Sequence, residues 1–99
     1  MTVTSTPTFR PVEHGGTYVC PQPAYDTVNF IFGSNVAGDA VIHIFNAAGI
    51  PVAELSGTAE VSAANRITLD LKGFAPGVYY YIVRVKGMNF KANKFLVAK

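Results

Sequence analysis

Gly77-Val78-Tyr79-Tyr80-Tyr81-Ile82-Val83-Arg84-Val85-Lys86 is the stretch on which the fold turns. Most of its side chains are aromatic or β-branched, the types that fit a pleated surface. Every second position is apolar, so Tyr79, Tyr81, Val83 and Val85 share one face of an extended chain. Pro76-Gly77 on one side and Gly87 on the other are turn residues, which bounds the element as a strand over 77–86.

The same form repeats in both directions. Short runs rich in Val, Ile, Phe, Tyr and Thr, bounded by Gly, Pro, Asn or Asp, predict strands over 16–20, 27–33, 39–46, 50–56, 65–72 and 89–98 beside 77–86. No window keeps an apolar stripe at helical spacing. The fold class that follows is all-β, an immunoglobulin-like, seven-stranded antiparallel β-sandwich. Residues 1–10, where Thr, Ser and Pro alternate with single apolar residues, read as a linker or lead-in, and 11–99 as one domain.

Asn46-Ala47-Ala48-Gly49 and Gly87 are expected to close hairpins, each with a glycine at positive φ. Pro51 removes a ladder donor and assigns its strand to an edge or bulge. The core sets are Val28, Phe30 and Phe32, then Ala40, Ile42 and Ile44, then the Tyr79 to Val85 series. Ile31, Phe45, Tyr80 and Ile82 point away from these sets, which means a covered central strand or an exposed interaction patch.

Composition narrows function chiefly by exclusion. Hydrophobic residues make up 49% of the chain and charged ones 14%, enough apolar material for an independent core. Eight scattered Lys and Arg with a formal net charge of +2 leave no basic run to follow phosphates, so nucleic acid is not an expected partner. No stretch has the length of a membrane span, and no export signal is read at the N-terminus. Lone Cys20 rules out an internal disulfide and is expected to be a buried, inert thiol.

Two His, one Cys and six carboxylates, spread over turns and strand ends, form no constellation for acid–base or nucleophilic chemistry. His14-Gly15-Gly16 reads as a turn, because no nucleophile elbow accompanies it. His14, Cys20 and His43 match no paired metal-ligand spacing, and the Asp residues at turns form no alternating acidic loop. No catalytic residue, metal or cofactor is expected, and the chain is not read as an enzyme. Tyr79-Tyr80-Tyr81, with Tyr25 and Phe45, has the rings for a sugar-stacking platform, against which stands core packing with a hydroxyl bonded at a strand corner.

Four motifs then stand in a definite order: Val19-Cys20-Pro21-Gln22-Pro23-Ala24, Val28-Asn29-Phe30, Ile42-His43-Ile44-Phe45-Asn46-Ala47-Ala48-Gly49 and Ala75-Pro76-Gly77-Val78-Tyr79-Tyr80-Tyr81. With the ending Asn93-Lys94-Phe95-Leu96-Val97-Ala98-Lys99, they resemble the type A C-terminal sorting domain of the type IX secretion system, over roughly Tyr18 to Lys99. The immunoglobulin-like domain of the flagellar hook-capping protein is similar. Gln22 stands where the family's opening Pro-Asn-Pro has Asn, and Phe45 where its turn motif has Tyr.

The resemblance implies a non-catalytic sorting or surface-anchoring module at the C-terminus of an exported, extracellular or cell-surface bacterial protein, with the secretion machinery as partner. Recognition is then expected on the last strand, at Lys94, Phe95, Val97 and Lys99, by strand addition or as a Lys-guarded edge. The alternative is a structural spacer that packs against an adjacent domain of the parent protein through Phe45, Tyr80 and Ile82. Carbohydrate binding by exposed Tyr is a further possibility.

Overall fold

A computed structural model describes residues 12–99. The expected lead-in over 1–10 and the domain start at residue 11 lie outside them. Eight strands are formed: β1 (Thr17–Cys20), β2 (Thr27–Ser34), β3 (Gly38–Asn46), β4 (Pro51–Ala59), β5 (Ser62–Asp70), β6 (Gly77–Val85), β7 (Met88–Asn89) and β8 (Asn93–Val97). They build two antiparallel sheets, one in the order β1-β2-β5 and one in the order β4-β3-β6 with β7 and β8 both on the far side of β6. The sheets face each other as an immunoglobulin-like sandwich.

Each hairpin has the residue its geometry requires. Asn46 Oδ1 accepts from the N–H groups of Ala48 and Ile50, at 2.9 and 3.0 Å, and Gly49 closes the turn at φ +81°. Gly87 takes φ +81° between β6 and β7. Pro51 opens β4, which lies at a sheet edge where its missing donor costs no ladder bond.

The core comes from alternation. Val28, Phe30 and Phe32 of β2 face Ala40, Ile42 and Ile44 of β3 and Tyr79, Tyr81, Val83 and Val85 of β6 across the sandwich, all buried. Ile31 projects from the other side of β2 and is nevertheless fully buried, with Tyr18 and Arg66 as its neighbours on β1 and β5. Cys20, expected to be buried, is only half-buried at the end of edge strand β1. An edge strand is covered by one neighbour only, which the residue type does not reveal.

The seventh expected strand is two strands. Arg84 pairs with Asn89, yet Tyr81 pairs with Asn93, so Ile82 and Val83 stand opposite Phe90, Lys91 and Ala92. That single extra residue is a β-bulge, and it reverses the alternation between β7 and β8. Phe90 and Phe95, on opposite faces of a regular strand, are therefore both buried.

Candidate functional site

The last strand, where the sequence places recognition, divides its residues between two environments. Phe95 and Val97 point into the sandwich and are buried. The Phe95 ring lies 5.4 Å from that of Phe30 on the opposite sheet, 5.6 Å from Tyr79 in a stacked arrangement and 6.0 Å from Tyr81. Lys94 and Leu96 point outward. Lys99 lies apart from them: its Nζ donates to the Leu71 carbonyl at 2.6 Å beside a cleft of about 530 Å³ that Asp26 and Asp70 also line. Lys94, Phe95, Val97 and Lys99 thus do not form one surface.

Phe45, Tyr80 and Ile82 do come together. Phe45 pairs with Tyr80 across β3 and β6, and Ile82 pairs with His43 one step along. On the other flank Tyr80 pairs with Lys94 and Val78 with Leu96. The outer face is therefore an apolar strip, on which Val78, Tyr80 and Leu96 are each about 40% exposed, with Lys94 beside Tyr80 and His43 Nδ1 lying 3.3 Å from Glu54 Oε1 at its border. Val78 and Leu96 escaped the sequence reading. Val78 was legible from the β6 alternation, whereas Leu96 depends on the bulge.

Tyr79 and Tyr81 leave no three-ring platform. The Tyr79 hydroxyl donates to the Ala75 carbonyl at 2.7 Å, a tyrosine at a strand corner. The Tyr81 hydroxyl donates to Thr17 Oγ1 at 3.0 Å, and Asn93 Nδ2 donates to the same oxygen at 2.7 Å, which joins β1 to β6 and β8. Burial raises the Tyr81 pKa above its ordinary value of 10.0, and the Thr17 and Asn93 hydrogen bonds pull it the other way.

The outer edge of β8 is largely occupied. Leu96 N–H donates to Gln22 Oε1 at 3.0 Å, the Leu96 carbonyl accepts from Ala24 N–H at 2.8 Å, and Ala98 N–H donates to the Ala24 carbonyl at 2.8 Å. The Pro21-Gln22-Pro23-Ala24 motif is thus a strap along the last strand, and the peptide bonds before both prolines are cis. Strand addition at β8 has only the Lys94 backbone left to use. Among the described residues, no three His, Cys, Asp or Glu side chains converge as a metal site.

The family profile of the secretion system C-terminal sorting domain matches residues 18–99. This chain belongs to the type IX secretion C-terminal sorting domain family. The family is a non-catalytic signal family, so the sorting domain marks an exported protein. Among solved structures, it is similar to dimeric latent PorU from Porphyromonas gingivalis, with a TM-score of 0.65 and 20% identity. That match covers 83% of the sorting domain but 9% of PorU, and it supports the fold alone. A β-glucosidase from Listeria innocua in complex with glucose matches at a TM-score of 0.40 and 14% identity, over 85% of the sorting domain and 16% of the enzyme, too weakly to bear on it. No curated protein matches.

Proposed function

We propose that the domain is the sorting or anchoring module at the C-terminus of an exported multidomain protein, and that the secretion machinery reads the outer face of its last hairpin. Membership of a sorting-signal family supports the reading most directly. Lys94 and Leu96, with Val78, Tyr80, Phe45 and Ile82 beside them, supply the contact surface, a cation on an apolar strip. Phe95 and Val97 serve recognition by holding β8 in register, and Lys99 by fixing the chain end on Leu71.

The test is fusion of the chain to the C-terminus of a reporter with its own signal peptide, in a type IX-competent bacterium. Removing residues 94–99 also removes Phe95 and Val97, so that truncation tests the fold as well as the signal. Lys94→Glu and Leu96→Asp leave the core intact and separate the two. Loss of surface and medium reporter with the truncation and the surface variants alike is expected. Normal export of both surface variants would favour a structural spacer that packs its apolar strip on an adjacent domain, a reading supported by the exposure of Val78 and Tyr80.

A further inference from the structure

A two-sheet sandwich has four outer edges, and three are guarded. The β8 edge is strapped by Gln22 and Ala24. The β1 edge is tied to the facing sheet through Thr17. The β5 edge carries Arg66 and Asp70 at positions whose backbone turns outward. Charges, straps and bulges at such places are the usual defences against pairing with another chain.

On the β4 edge they are confined to one end, where Pro51 opens the strand, a bulge falls at Val52 and Glu54 carries a charge. The bond from Lys86 N–H to the Asp39 carbonyl shows that odd residues of β3 turn their backbone toward β6, so even residues serve β4. Ala40, Ile42 and Ile44 therefore bond Gly57, Leu55 and Ala53, and the N–H and C=O groups of Glu54, Ser56 and Thr58 face outward. Among the described residues none of these six groups has a partner. Glu54 is the only charged side chain from Pro51 to Ala59, and no residue between Val52 and Ala59 is proline.

We infer that the β4 edge pairs antiparallel with the β4 edge of a second copy of this chain, about a two-fold axis through Ser56. The segment is self-complementary in that register. Ser56 meets Ser56 of the other copy, Glu54 meets Thr58, and all six outward groups find partners. Leu55 falls opposite Gly57, over which the Ile67 side chain already packs. A shift that centres on position 54 would set the two glutamates face to face, which destabilises the pair. This pairing does not depend on the sorting role, because it uses the edge farthest from β8.

Sedimentation velocity of the purified chain over a range of concentrations tests it. A reversible monomer–dimer equilibrium is expected. Ser56→Pro removes both central donors while leaving every bond to β3 in place, so it should be monomeric throughout with an unchanged melting curve. Ser56→Lys and Ser56→Glu should each weaken the dimer about fivefold, as like charges across a strand pair do, and an equimolar mixture of the two should restore it. A wild-type chain that stays monomeric to its solubility limit would overturn the inference. So would dimerisation of Ser56→Pro at wild-type strength.

Discussion

Phe95 joins the two sheets through one ring, since it touches Phe30 on one sheet and Tyr79 and Tyr81 on the other. Phe95→Ala should cost about 3–5 kcal/mol, a large part of a small domain's stability, read as a lower urea midpoint. Tyr79→Phe removes only the bond to Ala75, so a loss of about 1 kcal/mol is expected. Tyr81 adds a pH signature. A group whose folded pKa is raised contributes stability that is complete below its unfolded value and is lost as pH rises through the folded one. Urea midpoints of the wild type and Tyr81→Phe should therefore keep a constant difference up to about pH 10, and above it the wild type should fall faster, so that its advantage shrinks. The core side of such residues was legible in the sequence, because Tyr79, Tyr81, Val83 and Val85 sit at period two in an unbroken strand.

At the level of the strands, the reading failed where one residue is unpaired. Nothing in Phe90-Lys91-Ala92-Asn93 marks a bulge, because the extra residue is recognised only against the Ile82 and Val83 that it faces. Continued alternation therefore placed Phe90 and Phe95 on opposite faces, and the outward position of Leu96 went unseen. The same geometry gives a contrast that denaturation can measure. Deleting Ala92 should be tolerated, because β7 and β8 then merge into one regular strand with both rings still inward. Deleting Leu96 should unfold the domain, because it sets Phe95 and Val97 on opposite faces. The β4 strand also runs three residues past its expected end, to Ala59. Gly57 is a weak strand former, and it continues the strand because Ala40 lies opposite and Thr58 pairs with Asp39 beyond it.

For the whole molecule, the sandwich, its core and its family could be read without coordinates, since they rest on repeated patterns and on motifs in order. The recognition surface could not be read to the same degree, because it depends on which side of β8 each residue takes and on where Lys99 lands. The strap explains the Pro-rich opening motif in physical terms: Gln22 and Ala24 satisfy the backbone of a strand more than seventy residues later. Gln22→Ala should leave Leu96 N–H without its partner and lower stability by about 1 kcal/mol, measured by the same urea titration. Gly33→Ala should cost more, since a Cβ there would run into the Val12 and Glu13 carbonyls.

The dependence of the core on β8 has a consequence for biosynthesis. A ribosome delivers residues 93–98 after every other strand of this sandwich, and until they leave the exit tunnel Phe30, Tyr79 and Tyr81 lack the ring that packs among them. A polypeptide halted even a few codons short of Ala98 carries the other strands but no closed module. The folded state thus certifies that translation has run through the last strand of the domain.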